Sequence, residues 1–326
     1  MSTKVGLPRA LLYYEYAPML HAFFRTLGVE CVVSQPTTRE TLTRGAGRVV
    51  SEMCMPVKVY CGHVLALVDH VDRIFVPSID RVRPGTRNCP KLVGLPDLIA
   101  AAIPEAPLLT VDVDTEGHWL ALSQLLLNLG RHFTANPLLL RKAAERAEAA
   151  HEAYQKLLLQ GIRLPEAIGL PEQPARGPEL KPLTVAVVGH PYNLYDDYAT
   201  HRLVHRLERL NVRVRSPSSV HATDRWWNVR RLAQVPYWTF EDEVVGAAGS
   251  YLQRGVDGII TVSAFGCAPD SVMLAVVAEA AREANVPHLS LILDEHSGEA
   301  GLVTRLEAYV DMLTRKRERA HCQMAT

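Results

Sequence analysis

Short apolar runs that stop at a proline alternate with stretches of helical periodicity, and the whole pattern occurs twice along the chain. Lys4-Val-Gly-Leu-Pro-Arg9 in the first half is answered by Thr184-Val-Ala-Val-Val-Gly-His-Pro191 in the second. Each predicts a strand: the run is too short for a helix, and proline cannot continue a sheet ladder. A tyrosine-bearing turn is expected next, at Tyr13-Tyr-Glu-Tyr16 and at Tyr192-Asn-Leu-Tyr-Asp196. An amphipathic helix follows in each half, ending at Leu27-Gly-Val29 or Leu210-Asn-Val212. The next strands are Glu30–Val33 and Arg213–Arg215, closed by Pro36 and Pro217. Val71–Val76 then matches Val256–Val262, and Pro107–Asp112 matches Pro287–Asp294. Strands separated by helices give right-handed βαβ crossovers and parallel sheets. The expected fold is α/β, with two Rossmann-like doubly wound lobes and a cleft between them.

Leu138 to Gln160 is rich in Ala, Glu and Arg, which are strong helix formers, and predicts a charged helix. Pro165, Pro171, Pro174, Pro178 and Pro182 then fall in a stretch with almost no apolar periodicity, which reads as a stiff, extended linker. The expected division is a first lobe over 1–160, a linker over 161–182 and a second lobe over 183–326. A chain of 326 residues exceeds the usual size of one hydrophobic core, which agrees with two lobes.

With 48% hydrophobic and 21% charged residues the composition is that of a soluble globular protein. Lys+Arg and Asp+Glu both number 35, so there is no basic excess to mark a nucleic-acid partner. No apolar run is long enough for a membrane span, and no signal region opens the chain, so a cytoplasmic protein is expected. In a reducing compartment the six cysteines point to metal binding or catalysis rather than to disulfides. None forms a C-x-x-C pair, which argues against a zinc ribbon. The nucleotide patterns G-x-x-x-x-G-K and G-x-G-x-x-G are absent.

Ligands of open parallel sheets bind beyond the carboxyl ends of the strands. Three cysteines fall just past a predicted strand or buried apolar segment, each beside a proline or glycine: Cys54 in Cys54-Met-Pro-Val-Lys58, Cys89 in Asn88-Cys-Pro-Lys91, and Cys267 in Phe265-Gly-Cys-Ala-Pro-Asp270. Thiolates from separate turns are what an iron–sulfur cluster needs. Cys267 precedes a helix start, with Asp270 or Ser271 able to cap free amides, and a thiolate there sits in the positive field of the helix. Cys61, seven residues after Cys54, is either a fourth ligand or a packed helix residue. Cys31 reads as core and Cys322 as part of a charged tail. Lys58 and His63 are candidate donors to sulfur, and Tyr192 and Asn193 can line a ligand cleft. Glu295, His296 and Glu299 follow the last strand, where they serve either acid–base work or capping and salt bridging. Trp226-Trp227 and Tyr237-Trp-Thr-Phe240 are expected in the core or at a subunit contact.

Several of these segments recur in a recognisable order: Gly6-Leu-Pro-Arg-Ala-Leu11, Cys54-Met-Pro-Val-Lys58, Gly62-His63, Asn88-Cys-Pro-Lys-Leu-Val-Gly-Leu-Pro-Asp97, Gly189-His-Pro-Tyr-Asn-Leu-Tyr-Asp196, Ser263-Ala-Phe-Gly-Cys-Ala-Pro-Asp-Ser271 and Asp294-Glu-His-Ser-Gly-Glu-Ala-Gly301. With them the chain resembles the acyl-CoA dehydratase activase-related proteins, relatives of 2-hydroxyacyl-CoA dehydratase and benzoyl-CoA reductase components and of the double-cubane cluster proteins. The resemblance implies a [4Fe–4S] cluster held by Cys54, Cys89 and Cys267, with the fourth iron open. A double-cubane [8Fe–9S] cluster ranks lower, since it needs more cysteines than this chain can bring together. The resemblance also implies an ASKHA-type ATPase activator carrying its own cluster, and a dimer with itself or a related subunit. Low-potential electron transfer is the leading expectation. A CoA-thioester dehydratase or reductase using Glu295, His296 or Glu299 on an acyl-CoA is the first alternative. A cluster-free two-lobed binding protein is the second.

Overall fold

The computed structural model describes residues 2–82, 85–114, 119–161 and 183–324. It divides into two compact units, Met1–Leu170 with Pro236–Phe240, and Pro171–Val235 with Glu241–Thr326. The proline-rich stretch, from residue 162 to 182, lies outside the described residues.

The first unit carries strands β1 (Lys4–Leu7), β2 (Glu30–Val33), β3 (Arg73–Phe75), β4 (Ser78–Ile79), β5 (Leu108–Leu109) and β6 (Asp112–Val113). Four of them form a parallel sheet in the order β2-β1-β3-β5, and β4 pairs in parallel with β6. Its helices are α1 (Tyr13–Thr26), α2 (Arg39–Ala46), α3 (Met55–Leu65), α4 (Pro90–Val93), α5 (Leu95–Ala102), α6 (Trp119–Gly130) and α7 (Pro137–Leu159). The expected tyrosine turn is instead the first turn of α1. The chain has already reversed at Leu11, in the left-handed region at φ 48°, and Tyr13 and Tyr14 are buried on the inner helix face. Phe24 packs edge-on against Phe75 and Phe133 in the core. The charged helix is α7. Asn136 caps it by accepting from the amides of Leu138 and Leu139. Its apolar stripe, Leu140, Ala143, Ala144, Ala147, Tyr154 and Leu158, is buried, and the Tyr154 hydroxyl donates to Tyr14 O at 2.6 Å.

The second unit repeats the topology. Its strands β7 (Leu183–Val188), β8 (Val212–Arg215), β9 (Gly258–Ala264) and β10 (His288–Leu293) form a parallel sheet in the order β10-β9-β7-β8. In each sheet the first strand lies between the second and the third, so the order of travel reverses beside the first strand. The helices are α8 (Pro191–Leu194), α9 (Leu203–Arg209), α10 (Ala222–Ala233), α11 (Ala247–Arg254), α12 (Ala268–Glu283) and α13 (Glu299–Met324), with a π-helical turn over Asp242–Gly246. Tyr192 and Asn193 thus belong to α8 rather than to an open turn, because Pro191 sits at a helix start where its missing amide costs nothing. Cys322 lies within α13, not in a loose tail. Tyr309 donates its hydroxyl to the carbonyls of Ile259 and Pro287, which ties α13 to the sheet. Among the described residues no helix is long and apolar enough to cross a membrane.

Candidate functional site

In the first unit, Cys54 is the residue before α3 and Cys89 the residue before α4, and each helix has a proline in its first turn. Neither side chain caps its own helix. The two thiols are close enough for a charge on Cys89 to raise the pKa of Cys54. Burial is the largest cause holding the Cys54 thiol up, opposed by the Lys91 ammonium and by a hydrogen bond from the Val57 amide. The loop that presents Cys89 is pinned from several sides. Asn88 N donates to Asp80 O at 2.8 Å, and Arg87 Nη1 to Asp80 Oδ2 at 2.8 Å. The segment Pro236–Phe240 adds one bridge, with Arg87 N donating to Tyr237 O and Thr239 N donating to Arg87 O. Asn88 Nδ2 is buried, and among the described residues it has no acceptor.

Lys58 is buried and donates its ammonium to Ser51 O at 2.7 Å. Cys61 is fully buried inside α3, and burial pushes its thiol up to about 12. Cys31 on β2 is half-buried and raised to about 12 for the same reason. His63 is buried, with Nε2 2.9 Å from Thr37 Oγ1. Gly62, just before it, lets α3 approach α2 closely: a Cβ there would meet Thr41 O at 2.0 Å.

In the second unit Cys267 ends the turn after β9 and stands immediately before α12, again with a proline in the first turn. Asp270 does not cap that helix, and Ser271 donates to the Cys267 carbonyl rather than to a free amide. Asp270 turns inward instead, where Oδ1 lies 2.8 Å from His190 Nε2, and Asn193 Nδ2 donates to Oδ2 at 3.4 Å. Gly189 allows this meeting after β7, since a Cβ there would come within 2.5 Å of Val262 O on β9. Tyr192 stacks on the His190 ring at 5.1 Å. Burial lowers the pKa of His190, but Asp270 and the Glu243 charge from the π-helical turn overcome it, so the imidazole is held above its ordinary value. The pair spans the reversal between β7 and β9, where ligands of this topology bind.

Glu295, His296 and Glu299 follow β10, at the same sheet end. Asp294 Oδ1 accepts from His296 N and from Ser297 Oγ, and Glu299 pairs with Arg206. His296 and Glu299 are exposed. Trp226 and Trp227 are 44% and 65% exposed, so they are not core. Arg230 lies over the Trp226 ring at 4.5 Å.

Sequence reading passed over Arg9, Asn88, Lys91, His190, Asp270 and Glu243 as functional residues. Five of them stood inside the quoted motifs, and for all but Asp270 the usable signal was position: a polar residue one or two places beyond a strand or from a cysteine. Glu243 carried no such mark.

The model of the family described as CoA enzyme activase uncharacterised domain (DUF2229) matches residues 4–220, about two thirds of the chain. No curated protein matches it.

Proposed function

The chain belongs to the CoA enzyme activase uncharacterised domain family, and from that premise we propose that it is an iron–sulfur protein with an activator-type role towards a CoA enzyme. Cys54, Cys89 and Cys267 supply the thiolates of a [4Fe–4S] cluster. The observation that carries the reading is the pairing of Cys54 with Cys89 at two helix starts, with Lys91 and the Val57 amide directed at the Cys54 sulfur. Positive helix ends and nearby donors favour the ligating thiolate over the thiol. Cys267 enters by the same local logic, standing before a helix with proline in its first turn.

The donor set suits the group. Soft sulfur ligands are what such a cluster takes, and Asn88 Nδ2 offers a buried donor beside Cys89 that needs an acceptor. Among the described residues no three His, Cys, Asp or Glu side chains gather for a single metal ion. Thiolates of a cluster bind different irons and do not converge on one point. When bound, the group supplies one-electron transfer. The chain's own part is to exclude water with the apolar residues around Cys54 and to direct Lys91 and Asn88 at sulfur, since hydrogen bonds and burial set the potential. An ASKHA-type ATPase with its own cluster is the proposed electron donor, and a homodimer or a pair with a related subunit the proposed assembly.

Anaerobic reconstitution with iron and sulfide tests the reading. The wild type should take up both in equal amounts and give a paramagnetic signal on reduction. Cys54→Ala, Cys89→Ser and Cys267→Ala should each lose most of the iron. A wild type that binds none, or variants that keep the full complement, would overturn it.

A further inference from the structure

The carboxyl ends of β1 and β2 carry a second polar cluster that the cluster reading does not use. Arg9 is the second residue beyond β1, and its amide donates to Ser34 Oγ at 2.9 Å, just past β2. Its side-chain Nε is buried without a hydrogen-bond partner, and among the described residues no carboxylate pairs with the guanidinium. His63 reaches the same end from α3. It is 1% exposed, and while Nε2 meets Thr37, Nδ1 is buried without a partner. Arg9 is close enough for its charge to depress the pKa of His63, and it acts likewise on Tyr13.

Rigidity comes from two sources. The Thr38 cap of α2, with Thr38 and Thr41 exchanging side-chain and amide hydrogen bonds, fixes Thr37. The close α2–α3 approach at Gly62 fixes His63 beside it. Arg9 is only half-buried as a residue, but its Nε and the Nδ1 of His63 are both buried polar atoms without a partner, and such atoms cost free energy unless a ligand satisfies them. Parallel α/β sheets place ligands at this end.

We propose that Arg9 and His63 form an oxyanion subsite in the first unit that binds a phosphoryl or carboxylate group, with the Arg9 guanidinium and His63 Nδ1 as donors. Thr37 holds the other ring nitrogen and so sets the orientation of the imidazole. The proposal stands apart from the metal: it needs no cysteine and no iron.

The test uses the full chain, labelled on histidine and titrated separately with inorganic phosphate and with acetate. The His63 ring resonances should shift saturably at millimolar concentration, the more effective anion identifying the group. Arg9→Gln should weaken the effect about tenfold, the loss of one charge-assisted hydrogen bond. His63→Gln, followed by calorimetry, should weaken binding comparably. Circular dichroism identical to wild type shows that both variants remain folded; if they do not fold, the wild-type titration alone decides. Unmoved His63 resonances with both anions, or an equal response in Arg9→Gln, would overturn the proposal.

Discussion

Asp270→Asn keeps the size of a buried side chain and deletes its charge, which makes it the sharpest probe of the second unit. His190 and Asp270 are 4% and 1% exposed, with 2.8 Å between Nε2 and Oδ1. In the wild type, burial lowers the histidine's affinity for its proton, while the Asp270 carboxylate and the Glu243 charge raise it further than burial lowers it. A hydrogen bond to a charged group contributes about 1.5–3 kcal/mol, and the variant should lose about that much near pH 6. It should not lose the roughly 3–5 kcal/mol of an orphaned buried charge, because the imidazole can shed its proton instead. The sign with pH follows from linkage. A folded-state value above the unfolded one stabilises fully below the unfolded value, and the contribution disappears as pH rises through the folded value. The gap between wild type and variant should therefore be widest near about pH 6 and narrow by about pH 9. Urea unfolding at both pH values measures it, and histidine NMR should show His190 titrating lower in the variant. A stability loss independent of pH, or an unmoved His190, would refute the assignment.

Gly62→Ala should destabilise the first unit by about 2 kcal/mol. Forcing a methyl to within 2.0 Å of Thr41 O costs more than the roughly 1 kcal/mol that alanine adds to helix propensity. Thermal melting reads this, and a variant as stable as wild type would mean that α2 and α3 do not pack as described. His63, lowered from 6.5 to about 4 by burial and by Arg9, takes up its proton later than the unfolded chain does. Stability should then fall as pH drops from about 6.5 to about 4, by up to about 3 kcal/mol, and His63→Gln should flatten that slope in acid unfolding curves.

The repeat was legible because strand length and proline placement are local properties. The runs at Lys4, Glu30, Thr184 and Val256 each became a strand within two residues of the expected start. The tyrosine stretches misled because aromatic residues beside a proline read as a turn, while burial of Tyr13 and Tyr14 against the core decided for helix. Asp270 misled for a similar reason. Near the start of a helix an aspartate normally caps an amide, but here His190, 80 residues earlier, competes for it, and no local pattern records that partner. The cysteines at helix starts were half legible: the prolines gave the helix boundaries, whereas the approach of Cys89 and Lys91 to Cys54 depends on how α3 and α4 pack.

The two units also interpret one another. In each, the second residue beyond the first strand is basic: Arg9 after β1, His190 after β7. The same backbone route presents both at the carboxyl end of a parallel sheet, but the surroundings differ. In the second unit the chain supplies its own counter-charge, because the helix after the third strand brings Asp270 to His190. In the first unit the neighbour of Arg9 is His63, which cannot neutralise it, and among the described residues no carboxylate takes that place. A repeated position that is neutralised internally in one copy and left cationic in the other points to an external anion in the second case. It follows that phosphate or acetate should move His63 and leave His190 in place, since Asp270 already fills the role the anion would play.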